Sequence, residues 1–240
     1  MKNKSLYLSL SIFSAFFLGT VGASTSFATI PSDKAKEAFS GFYVTGSVGH
    51  SYLSAKKDSS FSTPGSFIAG GRDMSSNSFL GSLDIGASQL LDSTYLALEA
   101  TIFRDGHRAK SVSSSIYMHG RPMIFTERLN RQYGIGIRSK AGFQMTDHSI
   151  LYGSLGIDCS KFSVHGKLNG YESKLSKKLW AITPGVGIKT FLSEKLSLDL
   201  NYSYSIYQNF KNMASVGGAQ LAMKIAPRVS MARIGLSIKL

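Results

Sequence analysis

Five histidines, His50, His107, His119, His148 and His165, are the first residues to weigh for chemistry, because imidazole ligates metals and exchanges protons near neutral pH. They are scattered through the chain without the spacing of metal ligands. His107, His119 and His165 fall in long connecting segments, where a haem or zinc site would have to be assembled across loops. Surface histidines are the simpler reading, and no metal or other cofactor is expected. A serine hydrolase needs a Ser/His pair on one face. His50 and Ser51 are adjacent instead, and neighbours on a strand point to opposite sides. The glycine pairs Gly134/Gly136 and Gly185/Gly187 do not continue as G-x-G-x-x-G into a helix, so packing explains them better than a nucleotide loop.

Charge is the feature that remains. The chain of 240 residues carries a formal net charge of +13, which becomes +11 once Lys2 and Lys4 are removed with a leader. Within "YGIGIRSKAGFQ", residues 133–144, Arg138 and Lys140 interrupt an alternation of bulky apolar residues with glycine. The elements that hold them decide what two cations do there.

Lys2 and Lys4 precede an apolar run from Leu6 to Val21, and Ser26-Phe27-Ala28 offers a small-x-small cleavage site. Residues 1–28 therefore read as a secretory signal peptide; the run falls short of the roughly 20 apolar residues of a membrane-spanning helix. Residues 29–39 follow as a periplasmic lead-in, with "DKAKEAF" forming one helical turn, and 40–240 form one domain. Cys159 is the only cysteine, so no disulfide framework exists.

From residue 40 onward, eight segments alternate with period two. One face carries bulky apolar residues, such as Leu83, Ile85, Ile135, Ile137, Leu198 and Leu200. The other carries small or polar ones, such as Ser82, Asp84, Gly134, Arg138, Asp199 and Asn201. Short turns near Leu91–Ser93, Thr146–Ser149 and Ser193–Lys195 alternate with long connections at roughly 54–77, 104–131, 165–178 and 208–227. That asymmetry predicts an all-β, eight-stranded antiparallel transmembrane barrel with short periplasmic turns and long extracellular loops. If the bulky face meets lipid, the polar face is the lumen. Asp84, Glu99, Asp158 and Asp199 then meet Arg138, Lys140, Lys189 and Arg233 in one ion-pair network that plugs a narrow barrel. Inward glycines make room for the long cations. Trp180, Tyr133, Tyr202 and Tyr204 point outward as interface aromatics.

The chain resembles the small OmpA-like outer-membrane β-barrels, which include surface proteins of the OmpX and Ail type. The resemblance covers about residues 40–240 and rests on "GFYVTGSVGHSYL", "YGIGIRSKAG", "PGVGIKTFLSEKLSLDLNYSY" and the C-terminal "ARIGLSIKL". It implies a bacterial outer-membrane location after signal-peptide cleavage, and a C-terminal strand read by the barrel-assembly machinery. The family usually closes with Phe, where this chain has Leu240. Members differ in what their loops bind, so the resemblance names no ligand.

The positive excess falls in the long connections. Arg104, Arg108, Lys110, Arg121, Arg128 and Arg131 face only Asp105 and Glu127 in the second; Lys167, Lys174, Lys177 and Lys178 face Glu172 in the third. The expectation is a non-enzymatic surface protein with a plugged lumen. Arg104, Arg108, Lys110, Arg121, Lys174, Lys177 and Lys178 would contact lipopolysaccharide, outer-membrane lipid, or an anionic host glycan or protein, in the manner of an adhesin. An exported barrel does not meet nucleic acid. A narrow pore and a lipid A-modifying enzyme are the alternatives. "SSSIYMHGRPMIF" alternates around His119-Gly120 and predicts a hairpin whose edge could pair with another protein. The first long connection, rich in Gly and Ser, reads as mobile.

Overall fold

The computed structural model describes residues 32–63, 66–112, 116–118, 121–123, 125–168, 171–216 and 219–240. The expected leader lies outside them. Helix α1, Ser32–Phe39, occupies the lead-in and is two turns long rather than one. Just past its end, Gly41 has a φ of 122°, which suits only glycine, and this turns the chain into the first strand. The strands are β1 Gly41–Thr63, β2 Ser66–Leu91, β3 Thr94–Val112, β4 Ile116–Met118, β5 Arg121–Met123, β6 Phe125–Thr146, β7 Ser149–Leu168, β8 Tyr171–Phe191, β9 Leu196–Tyr207, β10 Phe210–Val216 and β11 Ala219–Lys239.

Neighbours run β1-β2-β3-β6-β7-β8-β9-β11, and β11 returns to β1 from Tyr43↔Lys239 to Ser62↔Gln220. Every pairing is antiparallel. β10 continues the position of β9: β9 lies against Arg228–Ile238 of β11, and β10 against Ala219–Ile225. The result is a closed barrel of eight strand positions, the fold that the alternation predicts. The expected hairpin around His119-Gly120 is present as β4 paired with β5, Met118 opposite Arg121; the two turn residues lie outside the described set. Short turns fall at Asp92-Ser93, Asp147-His148 and Leu192–Lys195.

Parity sets the wall. Ile137 is 61% exposed on the outer face while the next residue, Arg138, is 1% exposed in the lumen. Apolar-out is favourable only where the surrounding solvent is hydrocarbon, and closure leaves no strand edge unpaired in it.

The strands do not stop at the membrane. β1 and β2 run 23 and 26 residues, against the roughly 9–11 needed to cross a bilayer. The segment 54–77, read from the sequence as a mobile loop, forms the arms of the β1–β2 hairpin, paired as far as Thr63↔Ser66. The segments 104–131, 165–178 and 208–227 are largely strand as well. In this outer section the pattern inverts. Leu53 and Ala55 turn inward on β1, while Lys56 and Asp58 are exposed. Water now surrounds the wall, so apolar side chains are buried inside. Leu53, Met74, Phe103, Leu129, Phe162, Leu179, Phe210 and Ile225 belong to one buried cluster drawn from all sides.

The ladder also divides there. β2–β3 pairing ends at Leu80↔Asp105, and β8–β9 pairing ends at Ala181↔Tyr207. Among the described residues, the outer section therefore consists of two four-stranded sheets, β2-β1-β11-β10 and β3-β6-β7-β8, sharing that core as a sandwich does.

Candidate functional site

The barrel interior is layered. At the periplasmic mouth, α1 lays Phe39 into the lumen, 2% exposed, with its ring edge-on to Phe191 at 5.0 Å and Tyr95 at 6.3 Å. The Ser88 hydroxyl donates to the Phe39 carbonyl at 2.6 Å, and Lys239 Nζ donates to the Glu37 carbonyl at 2.8 Å. Backbone groups freed where the helix ends thus find partners on β2 and β11.

Above this cork, Asp84, Glu99, Arg138, Lys140, Asp158, Lys189, Asp199 and Arg233 are all buried in the lumen. Lys140 Nζ stands 2.6 Å from Glu99 Oε1 and 3.0 Å from Asp199 Oδ2. Tyr43 donates to Glu99 at 2.7 Å, Tyr152 donates to Asp199, and Asn201 joins Tyr152 to Arg233, whose NH1 lies 3.6 Å from Asp84. Arg138 pairs with Asp158 at 3.3 Å, and Asp158 also accepts from Thr183 and Ser205. Lys189 Nζ sits 3.7 Å above the Tyr43 ring. Hydrogen bonds among the described residues therefore gather the charges into separate clusters, where the sequence reading had one network. Arg138 and Lys140 share the inner face of β6, yet Arg138 pairs with Asp158 on β7 while Lys140 reaches Glu99 on β3 and Asp199 on β9.

The glycines also serve other side chains than expected. A Cβ at Gly136 would strike the Asp158 carboxylate, one at Gly187 would strike the Tyr152 ring, and one at Gly134 would strike Phe103. Gly156 is the position that yields to Arg138. The room is made chiefly for the acids and aromatics opposite.

Higher in the lumen lies a cluster that the sequence reading had assigned to an outer loop. Arg131 NH1 donates to Asp105 Oδ2 at 2.7 Å, and the guanidinium stacks over Phe103 at 4.6 Å. His107 Nε2 is 2.7 Å from Ser51 Oγ and 3.4 Å from Asp105 Oδ2, while Nδ1 meets Ser76 Oγ at 3.1 Å. Asp105, His107 and Arg131 are thus interior residues: the odd-numbered inward parity of β3 runs on through Glu99, Thr101, Phe103, Asp105 and His107, whereas on β6 a register shift between Arg131 and Gly134 breaks the even-numbered inward parity and turns Arg131 inward. Extending the β3 parity past residue 103 finds Asp105 and His107 from the sequence, but strict alternation along β6 points Arg131 outward. Ser51, His107 and Asp105 are the residues of a hydrolytic triad, but the carboxylate and the hydroxyl share Nε2. A triad requires the acid on the far nitrogen. Ser51 and His107 are 0% and 1% exposed. The arrangement is that of a buried hydrogen-bond network.

The predicted ligand-facing cations lie on strand, not loop. Arg104 and Arg108 are exposed on β3, and Lys174, Lys177 and Lys178 are exposed on β8. The side chains of Lys110 and Arg121 lie outside the described residues. Register sets Arg128 opposite His165, His165 opposite Lys174, and Lys161 opposite Lys178. Trp180 and Tyr133, 53% and 46% exposed, point outward. Among the described residues no cluster of His, Cys, Asp and Glu could hold a metal ion.

An eight-position barrel with a polar, charge-filled lumen and a lipid-facing apolar wall is an outer-membrane β-barrel protein. The chain belongs to the outer membrane protein beta-barrel domain family, whose family model matches residues 15–221, and this places it in the bacterial outer membrane. Solved structures similar to it include Neisserial surface protein A, 18% identical, covering 84% of this chain and 98% of that one, at a TM-score of 0.38. Ail of Yersinia pestis, in complex with the heparin analogue sucrose octasulfate, is 11% identical over 77% and 98% at 0.31. The outer membrane protein OprG of Pseudomonas aeruginosa is 12% identical over 85% and 99% at 0.46. Likeness at this level speaks to no ligand. No curated protein matches the chain.

Proposed function

We propose that this protein is a non-enzymatic surface barrel that keeps its lumen shut and presents its basic outer section to saccharides bearing phosphate or sulfate groups. The head region of lipopolysaccharide and acidic host glycans both have that chemistry. The observation that carries the reading is the register of β6, β7 and β8, which sets Arg128, His165 and Lys174 side by side and Lys161 opposite Lys178. Lys161 and Lys178, like charges directly opposite on the sheet, repel, and a polyanion lying across them and across the neighbouring Arg128 and Lys174 turns that cost into binding energy. The leader is removed on export, and β11, ending in "ARIGLSIKL", serves as the strand read by the assembly machinery.

The test is retention of the purified, folded barrel on immobilised heparin and on lipopolysaccharide. Reversing Lys174, Lys177 and Lys178 to Glu should abolish retention while heat-modifiable migration on gels stays intact. Unaltered retention would remove the reading. The pore alternative is tested by conductance in planar bilayers, and the lipid A-modifying alternative by mass spectrometry of lipid A after incubation; both should give blanks.

A further inference from the structure

β2 and β3 part company above Leu80 and Asp105. Beyond that point β2 follows β1 and β3 follows β6, whose register slips between Arg104 and His107. The N–H groups of Gly106 and Arg108 donate to the hydroxyls of Ser78, at 2.9 Å, and Ser76, at 3.2 Å. Side chains of β2 thus satisfy groups on β3 that a ladder would otherwise pair. Where the strands diverge, the outer wall holds a groove of about 990 Å³.

Its lining divides by chemistry. Phe79, Leu83 and Ile102 supply apolar walls, with Phe79 89% exposed; Arg104 and Arg108 supply two exposed guanidiniums. Gly106 lies between the two arginines in sequence, and a Cβ there would meet only the Ser78 hydroxyl, at 3.7 Å. Leu83 and Ile102 also belong to a second depression of about 940 Å³ on the lipid-facing wall, lined by residues such as Ile85, Leu98 and Ile135. The groove therefore runs from a cationic part into hydrocarbon-facing surface.

A purely aqueous ligand would leave Phe79, Leu83 and Ile102 unused, and a hydrocarbon chain alone would leave two guanidiniums without an anion. An amphiphile with an anionic head answers both, since arginine matches phosphate oxygens with paired, charge-assisted hydrogen bonds. We infer that the β2–β3 seam is a binding site for one phosphate-bearing lipid of the outer leaflet, with its head at Arg104 and Arg108 and an acyl chain running down past Leu83 and Ile102. The site shares its arginines with the saccharide reading above but stands on apolar walls that reading does not use.

Native mass spectrometry of the full barrel in neutral detergent tests it, with dipalmitoylphosphatidic acid, dipalmitoylglycerol and inorganic phosphate as probes. The expected result is one phosphatidic acid retained per barrel and neither of the other two. R104Q/R108Q should weaken retention about tenfold or more, the scale of one lost charge-assisted hydrogen bond. L83S/I102S should weaken it comparably while leaving heparin retention unchanged. Ile102→Trp, which fills the groove and stays apolar, gives the same readout should the serine variant fail to fold. Reversal of Lys174 and Lys178 should leave lipid retention intact, so the two readings fail separately. Equal retention of the diacylglycerol, binding of inorganic phosphate alone, or several lipids per barrel unaffected by R104Q/R108Q would each overturn the site.

Discussion

Arg131 and Asp105 meet across 2.7 Å with both side chains fully shielded from solvent, one from β6 and one from β3. The pair extends the charged interior upward to the base of the apolar outer core. Removing one partner strands the other as a buried charge, which costs about 3–5 kcal/mol, whereas replacing both with apolar residues is far milder. Arg131→Leu should therefore lower the urea unfolding midpoint much more than R131L/D105L. Fluorescence of Trp180, the single tryptophan, reports the transition. Equal losses in the two variants would mean that the charge pairing contributes nothing.

Lys140 and Lys189 are both buried lysines, yet their surroundings differ. Lys140 bridges two carboxylates, and Lys189 lies over an aromatic ring. Lys140→Met removes the cation that bridges Glu99 and Asp199, a loss of about 3–5 kcal/mol. Lys189→Met removes a cation–π contact, a loss of about 2 kcal/mol. Unfolding in lipid vesicles should rank them in that order, and the reverse order would contradict the pairing.

Phe39 closes the periplasmic mouth, but the Lys140 cluster lies beyond it. Phe39→Ala should destabilise the barrel by about 3 kcal/mol, as truncation of a buried ring does. It should leave planar-bilayer conductance at baseline, because the charged interior still fills the lumen. Stepwise current in this variant would show that the helix is the only barrier.

Binding to anionic saccharides through exposed lysines should weaken steeply with salt. The Debye length falls from about 10 Å at 0.1 M to about 3 Å at 1 M. Heparin retention should be lost over that range. Retention that survives 1 M salt would point to an apolar contact, with the edge of the β4–β5 hairpin as the surface to test next.

How much of this was legible in the chain follows from what acts locally. Lipid on one side and a narrow lumen on the other force strict alternation, so strand count, short turns and the inward direction of Asp84, Arg138 or Asp199 could be read residue by residue. Partnership could not. Lys140 on β6 reaches Glu99 on the adjacent β3 and also Asp199 on β9, and only closure of the barrel brings β9 within reach.

The outer section was misread for a different reason. Its strands keep the same period, but the solvent outside changes from hydrocarbon to water, so Leu53 and Ala55 turn inward while Lys56 and Asp58 face out. A pattern judged by apolar-out alone ends near residue 53 on β1 and near residue 103 on β3, which places Asp105 and His107 in a loop, while Arg131 is turned inward by a register shift in β6 that alternation does not foretell. An outer-membrane barrel can be read from the chain alone, because alternation is a property of each strand in its solvent. Which charges meet, where β2 and β3 separate, and that Phe39 seats in the mouth emerge on folding, because those depend on residues that the chain brings together from opposite sides of a closed wall.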